Sequence, residues 1–482
     1  MHSSLARPFV EHYAGRFAAV AIATVVTLLA LAPVARAQAD TRFRWLDGYE
    51  SPGTPEAYDR VGVLEIGPRS AQNVLILVPG TSASAAYFAP LARHVVSRAK
   101  GWQVWAVERR ENQLEDQSVF DRVKLGTTSA SEAFDYYLGW LADPSITRHF
   151  ELIPTADVTY AREWGMKVAV EDLRRVVQDA RKRATRVVLG GHSLGGSITT
   201  AYATWDFDGQ PGAADLDGLV FIDGGSSPTP VSVDDAQASL DALSTGSPWL
   251  SFGGIDAPFA GLFNTSGSLG ALLDPDSPSR GQAFPLLPAN LKPPIPVTNL
   301  GQYGYALDTE TSPSSLRAAQ AHLGHLAESG DPRGWDDAGE LTPIARFATM
   351  FSGYGLQSRD GTAWYHPLRL TIDAGAVAAG NPNPAQAVLD VHATHGSDLP
   401  RDLQIYAFGA ALGGQRVLDA ASALADQSGI PRANLLLIAR PDTYAHNDPN
   451  SAYPRNAFVD GLVRVLGKVA HSAGRRRLPS ID

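Results

Sequence analysis

Residues 187–198 read Val187-Val188-Leu189-Gly190-Gly191-His192-Ser193-Leu194-Gly195-Gly196-Ser197-Ile198. A short apolar run leads into G-x-S-x-G. Ser197-Ile198-Thr199-Thr200-Ala201-Tyr202-Ala203, which can be helical, follows. Strand, sharp turn and helix together are the setting in which that pentapeptide forms a nucleophile elbow. Ser193 must take a strained backbone conformation there to project its hydroxyl, and side chains at Gly191 and Gly195 would collide. Gly196 gives the following helix room to pack close to the strand. The same five letters also occur in plain glycine-rich turns, so the flanking segments are what make Ser193 the candidate nucleophile.

Outward from the elbow, Val74-Leu75-Ile76-Leu77-Val78, ended by Pro79-Gly80, reads as a buried parallel strand, and 102–107 reads as another. Residues 111–163 read as loops and short helices. Residues 168–180 form an amphipathic pattern with Val168, Leu173, Val176 and Val177 on its apolar side. Leu219-Val220-Phe221-Ile222 is a further strand, ended by Asp223-Gly224-Gly225. From 226 to 399 proline, glycine and serine are frequent and the alternation of strand and helix stops. It resumes with a strand at 404–408, a helix around 416–425, a strand at 434–438 and a last helix near 456–466. This order predicts an α/β fold, a doubly wound, mostly parallel sheet with a large inserted lid or cap. The core would comprise 38–225 and 400–482, and the lid 226–399. Ligands of such sheets sit outside the carboxyl ends of the strands, where the candidate residues fall.

A serine hydroxyl is a weak nucleophile at neutral pH and needs a histidine to accept its proton and a carboxylate to orient that histidine. In the chain order serine, acid, histidine, His446 in Asp442-Thr443-Tyr444-Ala445-His446-Asn447-Asp448 is the candidate base. His392 and His395 precede the strand at 404 and read as surface or packing residues. His192 is expected to be turned away from Ser193 by the elbow. The strand at 404–408 runs into Gly409-Ala410-Ala411-Leu412-Gly413-Gly414, with no carboxylate where the acid usually stands. Asp223, after the preceding strand, is therefore the candidate acid. Asp442 and Asp448 are alternatives local to His446, and Asp402 precedes the strand. An oxyanion hole needs two backbone donors. The Leu194 amide is one candidate and the Thr81 amide, in the loop after Val78, the other, with Ser82 next. Glu108-Arg109 is expected to form a structural ion pair near the site.

The first 37 residues read as a signal peptide. Arg7 and Arg16 flank the start of a nearly uninterrupted apolar stretch at 17–31, and Ala35-Arg36-Ala37 fits a cleavage site, so that the mature chain begins near Gln38. An uncleaved membrane anchor is the competing reading. Cleavage would leave the protein secreted or periplasmic, and an uncleaved segment would leave it membrane-anchored. The chain of 482 residues carries a formal charge of −10, and residues 1–37 carry +2 of it (Arg7, Arg16 and Arg36 against Glu11), leaving −12. An acidic protein is a poor partner for nucleic acid or anionic membranes. Zero cysteines exclude disulfides, thiol catalysis and thiolate metal sites. Neither a metal nor another cofactor is expected.

With Val78-Pro79-Gly80-Thr81, the elbow, Tyr202-Ala203-Thr204-Trp205-Asp206 and the His446 loop in view, the chain resembles capped α/β-hydrolases of the secreted bacterial esterase or lipase-like type. The resemblance implies that fold and a serine-hydrolase mechanism acting on a small-molecule or lipid-like ester. An amidase, peptidase or transacylase would use the same groups, and a non-catalytic binding protein of the same fold would keep the architecture without a converging Ser193, Asp223 and His446. Aromatic residues of the 226–399 segment, among them Trp249, Phe252, Phe263, Tyr303, Phe351, Trp364 and Tyr365, are expected mostly to build that segment's own core, with a few lining the cleft.

Overall fold

Apolar, β-branched runs bounded by glycine or proline become the central strands, and their burial on both faces follows from helices covering both sides of the sheet. The computed structural model describes residues 41–472. The signal-peptide reading of 1–37 and the basic run Arg475-Arg476-Arg477 lie outside the described residues. But for Thr41 and Arg42, the described chain belongs to one unit that begins at Phe43.

The main sheet has eight strands: β1 (Thr41–Asp47), β2 (Arg60–Ile66), β3 (Asn73–Val78), β4 (Trp102–Glu108), β5 (Arg186–His192), β6 (Gly218–Ile222), β7 (Gln404–Gly409) and β8 (Leu435–Ala439). Their spatial order is β1-β2-β4-β3-β5-β6-β7-β8. β2 runs antiparallel to β4, pairing Gly62 with Glu108, and β3 to β8 are parallel to one another. β1 and β2 precede the first strand read from sequence.

Alternate residues of each strand feed two core layers. Val74, Ile76, Val187, Leu189, Leu219 and Ile405 pack on one side with helices α3 (Met166–Arg183), α4 (Leu194–Thr204) and α8 (Gln415–Gln427). Leu75, Leu77, Val188, Val220 and Tyr406 pack on the other with α1 (Ala89–Arg98) and α9 (Ala457–His471). Val170, Leu173, Val176, Val177 and Ala180 give α3 its buried stripe at helical spacing. Truncating a strand residue such as Leu189, which is fully buried, to alanine costs about 2–5 kcal/mol.

Between β6 and β7 the chain is helical apart from short pairings such as the antiparallel pair His325–Gly330 and Arg333–Asp336. Helix α5 (Phe259–Leu273) packs on α6 (Asn299–Leu307), on α7 (Ile344–Ser352) and on α2 (Ala130–Tyr137), which comes from the segment after β4. Trp249, Leu262, Leu269, Trp364 and Tyr365 share a third core with Phe120, Tyr137 and Phe150. Among the described residues no helix is long and apolar enough to cross a membrane.

Candidate active site

β5 ends at His192, and the chain turns at once into α4 through Ser193, whose φ of 55° and ψ of −125° lie in the left-handed half of backbone space. That conformation is costly for a residue with a Cβ and persists only where the surroundings enforce it. They do so by contact. A methyl on Gly191 would overlap the Gly195 carbonyl, and one on Gly195 would overlap the Val78 carbonyl. The Ser193 amide donates to Ile222 O at 3.0 Å, tying the turn to β6.

Asp223 follows β6, also at positive φ (44°). Its Oδ2 lies 2.6 Å from His446 Nδ1, and both side chains are buried. The loop after β7 closes on the same carboxylate. Oδ1 accepts the amides of Ala410 (2.6 Å), Gly413 (2.9 Å) and Gly414 (3.3 Å), and Oδ2 that of Leu412 (3.2 Å). A side chain on Gly413 would intrude on Oδ1, so this loop must be small as well as tightly turned. Burial pushes the Asp223 carboxyl up, but the hydrogen bond to His446, its charge and the Ala410 amide outweigh burial and hold it below its ordinary value.

The alternatives sit elsewhere. Asp448 is buried but accepts from the Ala445 amide at 2.6 Å and meets His322 Nδ1 at 2.6 Å. Asp442 and Asp402 are exposed. His392 pairs with Asp390 at 2.7 Å and His395 with Asp398 at 2.8 Å.

Ser193 and His446 line one cavity, with no direct hydrogen bond between them in this structure. His446 Nε2 has no hydrogen-bond partner among the described residues. Gly80 lies against Ser193, so close that a Cβ there would stand 2.8 Å from Ser193 Cβ. Thr81 lines the cavity too. Its amide and that of Leu194 donate to no group among the described residues. The Ser82 amide, by contrast, donates to His366 Nδ1 at 3.3 Å.

Arg109 corrects the sequence reading. It pairs with Glu111 (2.6 Å) and not with Glu108, whose Oε2 accepts the Ala85 amide at 2.7 Å. The Arg109 guanidinium donates to Pro79 O (2.9 Å), Gly80 O (3.2 Å) and Ala83 O (3.1 Å), holding the 79–83 loop by its carbonyls. Burial, then the Arg109 charge, keeps His366 well below its usual pKa, so that its Nδ1 can accept from Ser82.

His192 lines the cavity too, with its ring centroid 4.3 Å from that of His446 and its Nε2 2.9 Å from His446 O. Tyr87 stacks on the His192 ring with centroids 5.3 Å apart and donates to Asn447 Oδ1 at 2.6 Å. Asn447 Nδ2 in turn donates to Ala318 O and Gln320 O at 3.1 and 3.0 Å. Tyr87, His192 and Asn447 thus brace the His446 loop. His192 and Asn447 are next to Ser193 and His446 in sequence, whereas nothing in the sequence points to Tyr87.

The cavity encloses about 1420 Å³, open space at its mouth included. Phe134, Phe252, Phe263, Tyr303 and Phe351 line it, whereas Trp249, Trp364 and Tyr365 belong to the third core.

No protein-family model matches the chain, and no curated protein matches it. Solved structures do. A putative lipase from Sulfolobus solfataricus aligns over 89% of this chain and 93% of its own at 13% identity, with a TM-score of 0.44. A monoglyceride lipase from Saccharomyces cerevisiae aligns over 89% and 96% at 10% identity and a TM-score of 0.39. An alpha/beta hydrolase fold protein from Nakamurella multipartita aligns over 88% and 99% at 11% identity and a TM-score of 0.39. By its sheet order, the antiparallel β2 and the turn after β5, this chain has the α/β-hydrolase fold.

Proposed function

We propose that the protein is a serine hydrolase that cleaves carboxylic esters through an acyl-enzyme. The observation that carries this reading is the Asp223–His446 pair, 2.6 Å long, on the cavity that Ser193 enters from a strained turn. With Nδ1 committed to Asp223, His446 Nε2 is the nitrogen that takes the Ser193 proton as Oγ attacks the ester carbonyl. The same nitrogen then protonates the leaving alkoxide as the acyl carbon–oxygen bond breaks. Water, deprotonated by His446, attacks the acyl carbon; as the acyl–Oγ bond breaks, His446 returns that proton to Ser193 Oγ and the acid leaves. Charge on the carbonyl oxygen is met by the Thr81 and Leu194 amides. Thr81 is favoured over Ser82 because the Ser82 amide is already spent on His366.

The 226–399 segment acts as a lid in this reading, since α5 and α6 supply much of the cavity wall. An apolar wall of that size suits an acyl or aromatic group and gives esters an advantage over charged peptides. Export through the 1–37 signal belongs to the same reading. The test is hydrolysis of p-nitrophenyl esters of graded chain length by the purified protein. Turnover that falls at least about 10³-fold in Ser193→Ala supports the reading, and equal turnover by both proteins refutes it.

A further inference from the structure

The loop that carries Thr81 is not held by the core strands alone. Residues 360–366, from the segment between β6 and β7, run beside it. The Ala363 amide donates to Ser82 O at 2.9 Å, and the Ser84 amide to Gly361 O at 3.2 Å. The Ser84 hydroxyl donates to Asp360 O, and Ala83 and Thr362 form an antiparallel bridge. The Ser82 amide ends on His366 Nδ1 at 3.3 Å. Both backbone polar groups of Ser82 are therefore tied to this segment. Its φ of 51° is one that a residue with a Cβ keeps only under constraint.

His366 is 1% exposed. Two donors converge on its Nδ1, the Ser82 amide and Arg109 Nη2, the latter at 3.4 Å. Nδ1 must then be the unprotonated nitrogen, and the ring proton lies on Nε2, 3.2 Å from Thr371 Oγ1. Burial and the Arg109 charge keep the ring neutral, as an acceptor must be. The same Arg109 Nη2 donates to Gly80 O. Gly80 C=O and Thr81 N–H belong to one planar peptide and point in opposite directions, so this bond aims the Thr81 amide away from the guanidinium. The next peptide, Thr81 C=O and Ser82 N–H, is held by His366. Thr81 thus stands between two peptides whose rotations are set, one by Arg109 and the other by His366.

An apolar side chain at 366 would leave the Ser82 amide without its acceptor. Rotation of the Thr81–Ser82 peptide would then relieve both that loss and the strain at Ser82. We propose that His366 is a positioning residue of the oxyanion hole, its Nδ1 setting the aim of the Thr81 amide by fixing the Thr81–Ser82 peptide. The segment between β6 and β7 then serves the chemical step as well as the cavity wall. The proposal rests on the ester-hydrolase reading for the role of Thr81.

His366→Leu removes the acceptor, whereas His366→Asn keeps one in the side-chain oxygen. On a soluble p-nitrophenyl ester, His366→Leu should lose about ten- to hundred-fold in kcat with KM within about two-fold, and His366→Asn should stay within about three-fold of the parent. An alkyl boronic acid forms a tetrahedral adduct on Ser193 that places an oxygen in the oxyanion hole. It should bind His366→Leu more weakly by the factor lost in kcat/KM. Hydrogen exchange on peptides covering 79–85 reads the loop without turnover, and should be faster in His366→Leu than in His366→Asn. If His366→Leu does not fold, Thr371→Val carries the test. It removes the acceptor of the Nε2 proton and should lower kcat about three-fold at unchanged KM; unchanged kcat there overturns the proposal. Equal kcat in His366→Leu and the parent, or equal losses in His366→Leu and His366→Asn, overturns it and leaves the hydrolase reading standing. A parent protein that turns over no ester refutes the hydrolase reading, and the exchange rates then decide. Faster exchange in His366→Leu than in His366→Asn keeps His366 as the brace of the loop, and equal exchange overturns that as well.

Discussion

Asp223 Oδ2 and His446 Nδ1 lie 2.6 Å apart although the carboxylate stands at the end of β6 and the histidine beyond β8, with β7 between them. The loop after β7 bridges this gap by giving amides where a carboxylate usually stands. Ala410, Leu412, Gly413 and Gly414 all donate to Asp223. In the proposed mechanism Asp223 is the acid, and the loop after β7 supplies its amide cradle.

Asp223→Asn keeps the size of the side chain but turns one oxygen into a donor facing His446 or the cradle. We expect kcat to fall roughly 10³–10⁴-fold with little change in KM, because the imidazole loses its orientation and the stabilisation of its charge. Steady-state kinetics on a soluble ester check this. A variant within ten-fold of the parent would reassign the acid.

Arg109→Met removes the donors that hold Pro79, Gly80 and Ala83 by their carbonyls. The Thr81 amide then loses its fixed aim, and kcat should fall about ten- to hundred-fold, mainly without a rise in KM. Stability should drop by about 3–5 kcal/mol, since Glu111 is left buried without its partner. Kinetics and urea unfolding separate the two effects, and Arg109→Lys should recover part of the stability and less of kcat.

Acid should weaken the fold through two histidines. Burial, then the charge of His446, brings His192 down to about 3, and burial, then Arg109, keeps His366 well below its ordinary 6.5. Below about pH 6.5 the unfolded chain takes up protons that these folded histidines refuse. Their effect is absent above that pH, and stability is lost progressively as pH falls from there toward the folded values, by up to ~1.4 kcal/mol per pH unit for each histidine. Thermal or urea unfolding between about pH 7 and 4 reads the slope. His366→Asn, which keeps an acceptor for the Ser82 amide, should reduce that slope by about one proton, and an unaltered slope contradicts the assignment.

Ala260 lines the cavity on α5 beside Phe263 and Gly261. Ala260→Trp should fill space that a long acyl group needs. Long-chain esters are expected to lose at least ten-fold in kcat/KM while the shortest lose little, in line with about 0.8 kcal/mol for each methylene denied burial. A uniform loss across chain lengths would place the acyl group elsewhere.

Much of this was legible in the sequence because backbone geometry and chain order leave direct marks. The apolar runs at β3 to β8 and the glycines around Ser193 are such marks, since a side chain at Gly191 or Gly195 would strike a carbonyl. β1 and β2 were missed. β1 alternates Arg42 and Arg44 with Phe43 and Trp45, and β2 carries Gly62 and Glu65 within a short run, so neither looks like a buried parallel strand. Glu65 is nonetheless buried, beside Arg44 at 2.5 Å. Long-range side-chain partners left no mark at all. Arg109 choosing Glu111, Tyr87 reaching Asn447, and Ser82 reaching His366 depend on segments that meet only in the folded chain. His192 beside His446 is of the same kind, since the two rings meet only once the strand ends are brought together.

The central claim is that Ser193 is a nucleophile activated by His446. It is tested most directly by treating the purified protein with a fluorophosphonate and measuring intact mass and peptide masses. The account predicts one adduct per chain, on Ser193, absent from Ser193→Ala and strongly slowed in His446→Ala. No adduct on the parent protein, or an adduct that persists in Ser193→Ala, would contradict it.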